Sequence, residues 1–264
     1  MNRIDLKFQE LKKKNEKAMI AFVTAGDPNF ETTAKLVYSM EEAGADIIEL
    51  GVPYSDPIAD GATIQKSSAR ALKNGATISK IMDVVKSIRV NTQIPLVYLV
   101  YYNSVFKYGI ERFIKQCNEV GVDGIIIPDL PIEERKDILA IADKFEVALI
   151  PLIAPTSKER IEKIVTSASG FIYCVSTNGV TGARSEINTD IKAYMDTVSK
   201  FTNIPKAIGF GISSAKMAKE LKEYCDGIII GSAIVKKVDE TENTEEMLEN
   251  VKKFISEVKE ALIS

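Results

Sequence analysis

Two carboxylates eleven residues apart open the chemical reading. Glu49 sits in the apolar run "DIIELGV" at residues 46–52, and Asp60 follows in "YSDPIADGATIQ". A glutamate inside a buried strand is costly unless it is paired or used. A low-dielectric setting would raise its pKa toward neutrality, as a general acid or base requires. The plainer alternative is a carboxylate at the edge of the core, satisfied by backbone donors. Asp60 precedes Gly61 and a helical pattern, so it fits a helix N-cap as well as it fits acid–base work. The pattern leaves both open. Asp56 lies in "SDP", an ordinary turn triplet, and reads as turn chemistry. The chain has no histidine, so side-chain proton transfer near neutrality would fall to carboxyls.

Glycines make a second constellation: "NGVTG" at 178–182, "GFGIS" at 209–213 and "GSAIV" at 231–235. Each follows an apolar run. Glycines past late strands, leading into helices, let backbone N–H groups and helix N-termini converge on an anion. Each glycine alone could be a turn; three together point to phosphate. "GFGIS" lacks the third glycine and the acidic follow-up of a dinucleotide fingerprint. Gly179 and Gly182, flanking Val180 and Thr181, give the first of these loops the look of a lid.

Eight short apolar runs, starting at Ala18, Asp46, Ile94, Gly121, Val147, Gly170, Pro205 and Asp226, must position these residues. They are rich in β-branched residues and do not alternate, which suits parallel strands covered on both faces. Helical periods lie between them. "ETTAKLVYSMEEAG" and "IERFIKQCNEVG" both end at a glycine, and "SKERIEKIVTSA" predicts a helix with Ser157 as N-cap. "SSAKMAKELKEY" and the C-terminal "TEEMLENVKKFISEVKEALIS" follow. Eight strand–helix units predict a (β/α)8 TIM barrel as a single domain over residues 1–264, with an extra N-terminal helix and an extra helix after strand 2. The segments "GADIIEL", "GVDGIII" and "YCDGIII" form a faint internal repeat.

Composition limits the rest. Net charge is −3, which points to neither nucleic acid nor an anionic membrane. Lys12, Lys13 and Lys14 read as the solvated face of the N-terminal helix. No apolar stretch approaches the ~20 residues of a membrane span. The opening "MNRIDLKFQELKKK" is charged where a secretory signal would be apolar, so a cytoplasmic location is expected. Cys117, Cys174 and Cys225 lack any metal-binding or redox spacing and read as buried small hydrophobes. No metal or cofactor is expected.

"FVTAGDP", "ELGVPYSDPIADGATIQ", "YYN", "IPDLPIEE", "NGVTGAR" and "IGFGIS" occur in one order along the whole chain. Together they closely resemble the tryptophan synthase alpha chain family. The resemblance implies a lyase that splits indole-3-glycerol phosphate into indole and glyceraldehyde 3-phosphate, with Glu49 and Asp60 as the acid–base pair. It further implies that Gly182, Gly211, Gly231 and Ser232 hold the phosphate, and that Phe22, Ile64, Leu99, Tyr101, Ile153 and Tyr173 line the indole pocket. Thr181 would close over Asp60. The implied partner is a pyridoxal-phosphate beta chain in an alpha2beta2 heterotetramer, met through Pro53, Asp56, Pro57, Asn103 and Phe106. Two other readings stand beside this one. The chain could be a regulatory subunit that senses a phosphate ligand and activates a beta partner, or another barrel phosphate enzyme. A Schiff-base aldolase would need a strand-borne lysine, and Lys206 falls at the wrong end of its strand.

Overall fold

The computed structural model describes residues 2–157, 160–176, 190–209 and 211–264. Nine strand segments form one parallel sheet: β1 (Ala18–Thr24), β2 (Ile47–Gly51), β3 (Leu96–Leu99), β4 (Gly124–Ile126), β5 (Ala148–Ile150), β6 (Leu152–Ile153), β7 (Ile172–Val175), β8 (Lys206–Gly209) and β9 (Gly227–Ile230). Their order is β5-β4-β3-β2-β1-β9-β8-β7-β6. The fifth apolar run supplies both ends of that order. It breaks at Pro151, which has no N–H for a ladder. β5 pairs with β4, β6 pairs with β7, and the Pro151 carbonyl accepts the Tyr173 N–H at 3.0 Å. The run therefore changes partners at its proline and closes the barrel.

Side chains alternate across each strand. From β1, Ala18 and Ile20 point into the barrel and pack with Ile47, Val97, Ile126, Ile150 and Ile229. Met19, Ala21 and Val23 point outward to the helical layer, with Ile48 and Leu50 of β2. Glu49 has the inward phase, between Ile48 and Leu50 and in register with Phe22 and Val97.

The N-terminal helix, Arg3–Lys14, closes the bottom of the barrel. Ile4, Phe8 and Leu11 recur at helical spacing and pack on the interior, with the Phe8 and Phe171 rings 5.9 Å apart. Lys12, Lys13 and Lys14 are exposed, as expected of a solvated face. The expected second helix after β2 is present too, as Ala62–Lys73 and Ile78–Ile88. One further helix had not been expected: Tyr102–Tyr108 precedes Ile110–Val120. The helix that the glycine loop at 231 leads into is Ser232–Asp239, and it is separate from the C-terminal Thr244–Ile263.

The internal repeat has a physical cause. Asp46, Asp123 and Asp226 stand just before β2, β4 and β9, and each accepts a main-chain N–H at the start of a neighbouring strand. The donors are Met19 at 2.8 Å, Leu96 at 2.9 Å and Lys206 at 2.9 Å. Cations back them: Lys259 on Asp46 at 2.7 Å, Arg89 on Asp123 at 2.8 Å and Lys206 on Asp226 at 3.6 Å. Lys206 is thus held at the foot of the barrel, far from the strand C-termini, where a Schiff-base lysine could not serve.

One helix start is corrected. Ser157 ends a 3-10 turn, Pro155–Ser157, and its Oγ accepts the Ala154 N–H at 3.3 Å. That bond turns the serine back onto its own loop. The helix begins later, at Ile161–Thr166, with Arg160 at the cap position and no side-chain cap.

Candidate active site

At the C-terminal ends of the strands lies a cleft of about 600 Å³, partly open to solvent and mostly apolar. Concave, mostly apolar clefts with a few convergent polar groups are the usual form of small-molecule sites. The structure brings Phe22, Glu49, Asp60, Ile64, Leu99, Tyr173, Gly211, Gly231 and Ser232 together on its walls. These residues come from six different strand–helix units. Thr181 and Gly182, with the expected lid, lie outside the described residues.

Glu49 is only 1% exposed, and its Oε2 has no hydrogen-bond partner among the described residues. Backbone donors therefore do not satisfy that oxygen, contrary to the plainer reading of this residue. Burial, with the Asp60 carboxylate adding to it, pushes the Glu49 carboxyl up to about 8. At neutral pH it carries its proton. Asp60 is also buried, and desolvation, partly offset by a hydrogen bond from Tyr101, leaves its carboxyl raised to about 6. The environment thus sets the two carboxyls apart, one protonated and one ionised near neutrality, which assigns an acid and a base in one site.

Asp60 is not a helix cap. The cap of Ala62–Lys73 is Gly61, with no side-chain cap bond, and Asp60 stands one residue outside, free to face the cleft. Its main-chain carbonyl accepts Gln65 Nε2 at 2.7 Å, which fixes the turn. Arg70 anchors the same helix. It grips Asp27 with two bonds of 2.8 and 2.7 Å and reaches Asp239 at 2.5 Å, while Ser67 donates to Asp27 at 2.5 Å. Asp27 follows β1 and Asp239 ends the helix Ser232–Asp239, so three walls of the cleft are pinned together.

Two expected wall residues are placed otherwise. Ile153 points outward into the helical layer, and Leu152 lines the cleft instead, because Pro151 sets the pleat phase of β6. Tyr101 lies behind Asp60 rather than on the wall: buried, its hydroxyl accepts the Ala59 N–H at 3.0 Å and bonds the Asp60 carboxylate. Pro128, Ile212 and Ile229 join the lining. Ile212 lies inside the quoted "GFGIS" and Pro128 inside "IPDLPIEE", so position past a strand end was the available signal.

The glycines divide by use. The helix after Gly211 is already capped, since Ser214 Oγ accepts the Met217 N–H at 3.3 Å. The helix Ser232–Asp239 has Gly231 at its cap and no side-chain cap bond. Its N-terminus opens on the cleft and offers the better anion seat. Gly51 and Gly209 act by lacking a side chain. A Cβ on Gly51 would meet the Phe22 ring at 2.6 Å, and one on Gly209 the Tyr173 ring at 2.6 Å. Both aromatic walls lie across a glycine. Gly51→Ala is expected to displace Phe22, costing about 1–3 kcal/mol of stability as overpacking does, and to weaken ligand binding. Denaturant unfolding and equilibrium binding check the two effects separately.

Around the rim, Asp56 and Asn103 are exposed and Pro57 is half-buried, whereas Pro53 is buried and shapes the loop from within. Phe106 is 63% exposed, and Ile58, which sequence reasoning passed over, is 73% exposed. Among the described residues no helix is long and apolar enough to cross a membrane.

A closed parallel barrel with its cleft at the C-terminal strand ends places the chain among (β/α)8 TIM barrels that carry their site on that rim. The chain belongs to the tryptophan synthase alpha chain family, whose model matches residues 8–263. The alpha chain of Thermoanaerobacter sp. (strain X514) is 62% identical over 262 residues, covering 99% of this chain and 100% of the relative. That of Clostridium kluyveri is 59% identical over 262 residues, with the same coverage. Among solved structures, tryptophan synthase of Mycobacterium tuberculosis aligns with TM-score 0.91 at 31% identity, covering 100% of this chain and 99% of that one. The alpha chain of Legionella pneumophila aligns with TM-score 0.90 at 30% identity, covering 99% and 97%.

Proposed function

We propose that this chain is a lyase that cleaves indole-3-glycerol phosphate to indole and glyceraldehyde 3-phosphate. The observation that carries the reading is the pair of buried carboxyls, differently poised, in one apolar cleft. Glu49, protonated at rest, delivers its proton to indole C3. The carbon becomes tetrahedral and the indole nitrogen gains positive charge, which the ionised Asp60 stabilises from its fixed, buried position. The Glu49 carboxylate then takes the proton from the hydroxyl on the side-chain carbon bonded to C3. The C–C bond breaks, and its electron pair returns to the ring and neutralises the nitrogen. The aldehyde leaves, C3 keeps the delivered proton, and Glu49 is protonated again. Every step is a proton transfer or a bond cleavage that two carboxyls suffice to drive.

Phe22, Leu99, Ile64 and Tyr173 hold the indole ring by shape and apolar contact. Gly211, Gly231 and Ser232 receive the phosphate, with the open helix end at Gly231 supplying its dipole. By family likeness Gly182 joins the phosphate seat and Thr181 closes over Asp60. The partner is a pyridoxal-phosphate beta chain that takes up the indole, in an alpha2beta2 assembly within the cytoplasm. It docks on the rim around Asp56, Pro57, Asn103 and Phe106, where Ile58 adds a large exposed apolar side chain. The test is indole release from indole-3-glycerol phosphate by the chain alone and with an added beta chain. Release by the chain alone, stimulated by the partner, is expected. No release under either condition would overturn the lyase reading. Stimulation of a beta chain without any release would make this a regulatory subunit.

A further inference from the structure

Asp60 is oriented by residues that none of its own neighbours in sequence would identify. A carboxylate can only accept hydrogen bonds, so Tyr101 must donate to it. The Ala59 N–H bond to the same phenolic oxygen, at 3.0 Å, occupies an acceptor position there. It thereby turns the hydroxyl proton toward Asp60. The phenol can hold that pose only while its ring stays in place.

What holds the ring is Tyr54. The two rings stack at 5.0 Å between centroids with an interplanar angle of 25°. Tyr54 itself is tethered at the far end, where its hydroxyl accepts Asn103 Nδ2 at 3.1 Å. Asn103 stands in the helix Tyr102–Tyr108, which begins right after Tyr101. Four groups therefore close a ring between the loops that follow β2 and β3. Asn103 holds Tyr54, Tyr54 holds Tyr101, and Tyr101 holds the Ala59–Asp60 turn on the loop that carries Tyr54.

We propose that Tyr54 is a positioning residue for the reaction: stacked on Tyr101 and tethered by Asn103, it keeps the Tyr101 hydroxyl donating to Asp60. Tyr54 does not line the cleft, so it acts through Tyr101. The exposed Asn103 places the outer end of the tether on the rim where a docking partner would sit. The inference rests on the reading of Asp60 as the carboxylate that faces the indole nitrogen.

Among the described residues, the charged and titratable groups acting on this cluster are Glu49 from β2, Tyr173 from β7 and Asp129 from the loop after β4, besides Tyr101 itself. None of these is altered by a change at Tyr54, so a shift in Asp60 alone is diagnostic. Tyr54→Phe keeps the stack and loses the tether; Tyr54→Leu loses both. The expected falls in kcat are about 5-fold for the first, the scale of one hydrogen bond, and roughly 10- to 50-fold for the second, which also forfeits the aromatic pair. KM should change little in either. Asn103→Ala should match Tyr54→Phe and add nothing to it, and Tyr54→Leu should add nothing in a Tyr101→Phe background.

A readout independent of turnover is the carboxyl titration of Asp60 by 13C NMR in selectively labelled protein. Loss of the Tyr101 donor should raise the Asp60 midpoint in Tyr54→Leu and in Tyr101→Phe, and leave that of Glu49 in place. An unchanged Asp60 midpoint, or additive losses in the double variant, would overturn the proposal. Shifted midpoints in a protein that releases no indole would instead sink the lyase reading and leave the positioning role standing.

Discussion

Glu49→Gln lowers indole release by at least about 10²-fold, the lower range of what a positioned acid–base group supplies, while the substrate still binds. Glutamine has the same shape and meets the same walls, so Phe22, Ile64, Leu99 and Tyr173 keep their places. It loses only the exchangeable carboxyl proton. That proton is available at neutral pH because the glutamate is buried, has an oxygen without a partner among the described residues and faces a second carboxylate. The same burial costs stability: an unsatisfied buried polar atom is unfavourable by about 1–3 kcal/mol. A strand facing a barrel interior would be more stable with an aliphatic residue here. Stopped turnovers with substrate or product separate the two effects, since equilibrium binding should be retained while kcat falls. Near-full activity in this variant would remove Glu49 from the mechanism.

Asp60→Asn is the second large effect, with kcat expected to fall by about 10²–10³-fold, comparable to the loss of a fixed group that stabilises developing charge. Asparagine can still accept from Tyr101, so the turn and the helix Ala62–Lys73 should persist. What disappears is the negative charge opposite the indole nitrogen. This variant carries an internal check. The Asp60 carboxylate is one cause of the elevated Glu49 carboxyl, so neutralising it should bring the Glu49 midpoint down from about 8. A mechanism in which Asp60 only shapes the loop would leave kcat nearly intact.

Much of this architecture is legible in the sequence. Parallel strands covered on both faces must be apolar throughout, so eight runs announced themselves, and the glutamate in the middle of one of them was conspicuous. The long stretch between β2 and β3 announced its second helix by length. What escaped depended on pairings across the chain or on local phase. Tyr101 stood on the pocket wall by family likeness alone, and nothing in its own segment names Asp60, forty-one residues earlier, as its partner. Ile153 and Leu152 exchanged roles because one proline resets the pleat. The helix start at Ser157 failed because the serine satisfied a nearer N–H. The loops after β8 and β9 looked alike as glycine patterns, and only Ser214 shows which helix end is already occupied.

The central claim is that one cleft holds an acid and a base, kept apart by burial and by the Tyr101 hydrogen bond. The most direct test is the pH dependence of kcat/KM for indole release by the wild-type chain, which reports the carboxyls of the free protein. Asp60 must be ionised, so activity falls as pH drops through about 6. Glu49 must be protonated, so activity falls again as pH rises through about 8. The account predicts a bell between those limbs, whose apparent values belong to the coupled pair. A profile that stays flat across both regions, or that keeps rising above about pH 8, would contradict it.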